Sequence, residues 1–185
     1  MQKVTIFFIA ALIALTTFSF IDPNKDKVQW LTVAELQAVY SKNPKPILVD
    51  VYTSWCGWCK VMDRETYSKD KVATYINEHY YAVKLDAEAK ETLEWNGKKF
   101  SYNADYKSND LAVYLLNGQM SFPTTVFLTE LNAAPAALPG YLKPKEIEAP
   151  LKFFGDAVYK TKNFQELVTR LYQAGKYLYK PTEPA

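Results

Sequence analysis

The stretch "VDVYTSWCGWCKVM", residues 49–62, holds both cysteines of the chain, Cys56 and Cys59, two residues apart among Trp55, Gly57, Trp58 and Lys60. Three chemistries use thiols so placed: a structural disulfide, a metal clip and a redox pair. Bridging residues 56 and 59 closes a very small loop, which removes little entropy from the unfolded chain. Zinc takes about four protein ligands, or three and a water. Two cysteines and the lone His79 do not make a usual set, so no metal site is expected. A Cys–His nucleophile leaves the second thiol without a role, and His79, in "INEHYY", reads as a surface helix residue. The redox reading uses both thiols: one thiolate attacks a disulfide, and the other resolves the mixed disulfide. A staple stays open as the alternative if the chain is exported.

Redox work needs a place where a sulfur anion is stabilised. "ILVDVYT" (47–53) is a continuous β-rich run, as expected of a strand buried on both faces. A helix is expected over about 56–67. A thiol at its N-terminus meets unpaired N–H groups and the positive end of the helix dipole. Thr32 and Glu35 have capping-box spacing for an earlier helix with Leu36, Val39 and Tyr40 on one face, ended by Pro44 and Pro46. Ser68 and Asp70 offer caps for a helix over about 70–80, and "YAVKLDA" (81–87) reads as a second parallel strand. "NGKKFSYNADYKSND" (96–110) reads as loop, followed by a helix capped by Asn109 or Asp110 and ended by Gly118. Pro123 opens a strand in "FPTTVFLTE", with a turn at 130–135 and a short strand to Gly140 beyond it. Pro144 suits a first helical turn, and Pro150 implies a late start or a kink. Asn163 and Glu166 mark a last helix, about 164–177. Strands and helices in this order make an α/β layered domain.

The rest of the composition fits one domain of 185 residues, 49% apolar and 23% charged. A formal charge of +2 gives no nucleic-acid footprint. At the N-terminus, Lys3 precedes an apolar run over residues 4–20, the pattern of a secretory signal. An uncleaved anchor is the alternative, since about 18 apolar residues is near the lower limit for a bilayer span. The expected organisation is a signal peptide or anchor (1–21), a linker (22–27) and one domain (28–180). A monomer is expected, in contact with a membrane only if the leading segment is kept.

"LVDVYTSWCGWCK" and "SFPTTVFL", with "VKLDA" between them, resemble the strand-plus-active-site signature and the cis-proline landmark of the thioredoxin superfamily. "WCGWCKVMDRETYS" is most similar to exported thioredoxin-like proteins related to the C-terminal domain of the bacterial thiol-reductant conductor DsbD. The resemblance implies a thioredoxin fold, a central mixed β-sheet flanked by helices. It makes Cys56 the exposed attacking thiol and Cys59 the buried resolving one, working as a redox-active disulfide with no further cofactor. It makes Asp50 a buried proton-exchanging acid, Lys84 its partner, and Pro123 a cis-proline beside the thiols, with the Phe122 backbone open to a bound peptide. Asp50 in water at a strand edge, and Lys84 reaching solvent, are the alternatives that the residues leave open. Trp55, Gly57 and Trp58 would form the active-site surface, supported by Lys60. Gly57-Trp58 departs from the Gly-Pro of thioredoxin itself. The connection before Pro123 is long, with an aromatic-rich insertion at about 88–121 (Trp95, Phe100, Tyr102, Tyr106, Tyr114). It is expected either to form its own small core or to wall the partner groove. The expected function is a periplasmic thiol–disulfide oxidoreductase, reducing disulfide-bearing exported proteins and recharged by an upstream thiol reductant. An oxidase or isomerase is the alternative within that class, and a non-catalytic binding module the alternative outside it.

Overall fold

Apolar runs and amphipathic stretches alternate along the chain, and they become alternating strands and helices in the computed structural model, which describes residues 27–174. In order these are β1 (Trp30–Leu31), α1 (Val33–Tyr40), β2 (Ile47–Tyr52), α2 (Gly57–Met62), α3 (Asp70–His79), β3 (Tyr81–Asp86), β4 (Leu93–Trp95), β5 (Lys98–Phe100), β6 (Tyr102–Asn103) and β7 (Ser108–Asn109). Then come α4 (Asp110–Leu115), β8 (Thr124–Leu128), β9 (Ala136–Pro139), α5 (Pro144–Gly155) and α6 (Phe164–Ala174). A π turn, Asp63–Tyr67, continues α2. The expected signal or anchor, all but the last residue of the linker, and the end of the last helix lie outside the described residues.

The main sheet has the order β1-β3-β2-β8-β9. β1 and β2 run parallel to β3, whereas β8 is antiparallel to β2 and β9 to β8. β2 is central, with Ile47, Leu48, Val49 and Val51 fully buried, which is why it reads as an unbroken apolar run. One face packs Val49, Val51, Val83 and Val126 against Leu36 of α1 and Leu111 and Leu115 of α4. The other packs Leu48, Ala82 and Phe127 against Met62, Ile76, Ile147 and Leu151 from α2, α3 and α5. The expected mixed sheet with helices on both faces is therefore present.

Local signals performed unevenly. Thr32 caps α1 in both directions: the Glu35 N–H donates to Thr32 Oγ1 (3.2 Å) and the Thr32 N–H to Glu35 Oε2 (2.7 Å). Asn109 caps α4, accepting from the Leu111 N–H at 3.0 Å. For α3 neither expected residue serves, because Lys69 holds the cap position without a side-chain bond. Helix α5 starts at Pro144 with Pro150 inside it, not late. Proline there removes one helical hydrogen bond, but buried Ile147 and Leu151 anchor both sides of it to the sheet.

The expected loop at 96–110 is largely two small hairpins, β4–β5 and β6–β7. Asn96 and Gly97 turn the first, both at positive φ (50° and 73°), the Asn-Gly signature of a two-residue hairpin. The insertion does not form a core of its own. Trp95 is 2% exposed and packs in the cluster that holds Val49 and Val83, while its indole N–H donates to Leu131 O at 3.0 Å. Trp95→Ala should therefore cost the whole domain about 3–5 kcal/mol, read from urea unfolding. A loss well below about 1 kcal/mol would place this residue outside the shared core.

Candidate active site

At the end of β2 the chain makes one turn, closed by the Cys56 N–H donating to Thr53 O at 3.2 Å, and α2 begins. Cys56 is the N-cap residue, in extended conformation, and its Sγ accepts the Cys59 N–H at 3.1 Å. The two cysteines are disulfide-bonded, with Cα atoms 5.3 Å apart. The expected contrast in exposure is absent: Cys56 is 5% exposed and Cys59 3%. The disulfide turns the Cys56 sulfur inward over the first helical turn. The open surface around it belongs to Trp55 and Trp58, 65% and 61% exposed, and to Gly57 and Lys60.

Side chains alternate along a strand, so Asp50 shares the face of Leu48, toward α2, α3 and α5. Its neighbours in register are Lys84 on β3 and Thr125 on β8. Lys84 Nζ lies 2.7 Å from Asp50 Oδ2 and also contacts the carboxylate of Asp63. Asp50 is 1% exposed, and its Oδ1 has no hydrogen-bond partner among the described residues. Burial raises its carboxyl to about 6, against the opposing pull of the Lys84 charge. Desolvation outweighs attraction here. Burial also works against the Lys84 charge, but Asp50 and Asp63 together hold that ammonium above its ordinary range. The ammonium further lies 4.9, 5.2 and 5.9 Å from the ring centroids of Trp30, Tyr52 and Tyr67. Asp50 is thus a buried acid and Lys84 its ion-pair partner.

Around the disulfide, the Phe122–Pro123 bond is cis, as expected. The Phe122 ring meets Trp55 edge to face at 6.0 Å, and the Trp55 indole N–H donates to Glu88 Oε2 at 3.1 Å. On the other flank Trp58 stacks on Tyr141 at 5.6 Å. Sequence reasoning passed over Asp63, Glu88 and Tyr141. Asp63 carried a signal, since residues 59 and 63 share a helix face. Glu88 and Tyr141 are brought in by tertiary packing. Among the described residues no group of three or more His, Cys, Asp or Glu side chains could hold a metal ion.

With this geometry in hand, comparison with known proteins is consistent. A family model, Thioredox_DsbH, described as protein of unknown function, DUF255, matches residues 17–174. Thioredoxin-like protein slr0233 of Synechocystis is 34% identical over 62 residues, 34% of this chain and 53% of that protein. Thiol:disulfide interchange protein DsbD of Pectobacterium atrosepticum is 31% identical over 45 residues, 24% of this chain and 8% of that protein. The matches thus span about half the length of the first relative and a small fraction of the second. A thioredoxin-fold protein from Helicobacter pylori superimposes with a TM-score of 0.54 at 22% identity, over 71% of this chain and 82% of that one. The fold is the thioredoxin fold.

The Asp50 carboxyl has a definite consequence for stability. It titrates at about 6 folded against an ordinary 3.8, so the folded chain holds this proton more tightly than the unfolded chain. The stabilisation is fully present below the unfolded value and is lost as pH rises through about 6. Asp50→Asn should remove about 2 kcal/mol of the stability difference between about pH 4.5 and about pH 7.5, measured by urea unfolding of the oxidised protein. An unchanged difference in the variant would mean that Asp50 is not the group responsible.

Proposed function

The chain belongs to the Thioredox_DsbH family, and on that premise we propose that it is an exported thiol–disulfide oxidoreductase that reduces disulfides in other exported proteins. The observation that carries this reading is the Cys56 sulfur at the head of α2, bonded to Cys59 and accepting the Cys59 N–H at 3.1 Å. When the disulfide opens, that donor and the helix terminus favour a sulfur anion at Cys56. The Cys56 thiolate attacks one sulfur of a partner disulfide. A mixed disulfide forms, and the partner's other sulfur leaves as a thiolate. Cys59, giving its proton to the Asp50 carboxylate, then attacks Cys56 Sγ. The Cys56–Cys59 disulfide reforms and the partner's second thiol is released. Two electrons pass from the cysteine pair to the partner, and an upstream thiol reductant restores the pair.

A carboxyl at about 6 suits the proton step, because it is largely a base at neutral pH yet holds a proton well. Lys84 keeps it paired, and Trp55, Phe122 and Pro123 line the flank where a partner strand can lie along the Phe122 backbone. Export to the periplasm is supported by Lys3 and the apolar run over residues 4–20. Disulfide exchange is supported by the similarity to a thiol:disulfide interchange protein, and the reducing direction rests on the resemblance of "WCGWCKVMDRETYS" to exported thiol reductants.

Cys59→Ser should trap mixed disulfides with exported proteins through Cys56, while Cys56→Ser traps none and the wild-type chain reduces insulin. Absence of both trapping and insulin reduction would remove this function. The direction is read separately: a potential near −270 mV against glutathione is expected, and one near −120 mV would mark an oxidant instead, on a scale set by roughly those two values.

A further inference from the structure

Trp58 is a large apolar side chain left 61% exposed, and its stacking partner is held firmly. The Gly140 N–H donates to Pro123 O at 2.8 Å on one side of Tyr141, and buried Thr66 donates through Oγ1 to Leu142 O at 2.7 Å on the other. The Trp58–Tyr141 stack therefore rests on α2, on the π turn and on the residue that follows the cis bond. Tyr141 also borders a cavity of about 550 Å³ with Glu65, Lys69, Lys143, Lys145 and Glu146. Its two carboxylates are already engaged. Glu65 meets Arg64 at 2.8 Å and Lys69 at 3.7 Å, and Glu146 accepts the Lys143 N–H at 2.7 Å. Counted by formal charge, the cavity and the ion pair on its rim hold four cations, Arg64, Lys69, Lys143 and Lys145, against two carboxylates, Glu65 and Glu146, so this flank is positive by 4 − 2 = +2. The opposite flank has the other sign, for there Trp55 is held by Glu88, next to Asp86. The disulfide sits between an aromatic, basic edge and an aromatic, acidic one.

We infer that the Trp58–Tyr141 edge is a docking surface for an acidic polypeptide segment with an aromatic side chain beside the partner's cystine. This deepens, and rests on, the reading of the site as one for protein disulfides. The partner's ring lies against the exposed face of the stack, and its carboxylates meet the lysine edge. Charge complementarity fixes which way the segment crosses the disulfide, with its acidic end over α2 and the start of α5.

The test uses the full oxidised chain and two synthetic peptides whose cysteine is replaced by serine, so that no bond is exchanged. One carries Phe and Glu beside the serine, the other Phe and Lys. NMR titration should give the acidic peptide roughly a tenfold lower Kd at low salt, falling toward parity in high salt. Tyr141→Ala should weaken the acidic peptide by about tenfold, by loss of one aromatic contact. Lys143→Glu, a surface change that leaves the stack intact, should abolish the preference. Equal binding of both peptides, no binding of either, unchanged binding in Tyr141→Ala, or a preference that survives Lys143→Glu overturns the inference. Exchange with hydroxyethyl disulfide is followed in parallel. If exchange persists while the preference is absent, the docking surface alone falls. If the preference holds while exchange is absent, the oxidoreductase reading falls and the surface stands as a binding site.

Discussion

The site depends on where a buried strand stops and a helix begins. β2 is pinned on both sides, to β3 and to β8, in fixed register. A slip of one residue would turn Asp50 to the other face of the sheet and away from Lys84. With the strand so held, the turn after Thr53 delivers Cys56 to the point where helical N–H groups have no partner within the helix. The sulfur takes one of them. Cys59, in the first turn, follows from the two-residue spacing, and the disulfide records that the two sulfurs meet.

That placement is combined with a costly feature. A carboxylate in the middle of a sheet loses hydration that one ammonium at 2.7 Å does not restore, and its raised titration records the deficit. An apolar residue would suit the packing of Leu48 and Phe127 better. Lys84 bridges Asp50 to Asp63 at the half-buried end of the same group and lies against three aromatic rings. The cluster holds a proton-accepting group in the interior while leaving one of its oxygens without a partner among the described residues. It is this combination that a structural staple would not need.

Much of this was legible because it is local. The cysteine spacing, the apolar run of 47–53, the Thr32 capping box and the Asn109 cap each depend on a few adjacent residues, and each appears as read. Asn96-Gly97 is equally local: the dipeptide turns a hairpin at positive φ within the stretch expected to be loop. Other features lie beyond the reach of local pattern. Trp95 joins the main core because β4 is folded back onto α1 and the sheet face beneath it, so the insertion is part of the domain's interior. Glu88 reaches Trp55 and Tyr141 reaches Trp58 only through packing of distant segments. The resemblance implies an exposed Cys56, but its sulfur, bonded to Cys59 and accepting the Cys59 N–H, is covered. Pro150 inside α5 shows tertiary burial overriding a strong local breaker.

Competitive alkylation of the reduced protein tests the central claim most directly. Brief iodoacetamide treatment near neutral pH, followed by peptide mass analysis, reports which sulfur reacts first. Placement of Cys56 at the helix head, with Cys59 inside the first turn, predicts modification at Cys56 in at least about tenfold excess, since the thiolate is the reacting form. Equal modification of the two, or preference for Cys59, would contradict it.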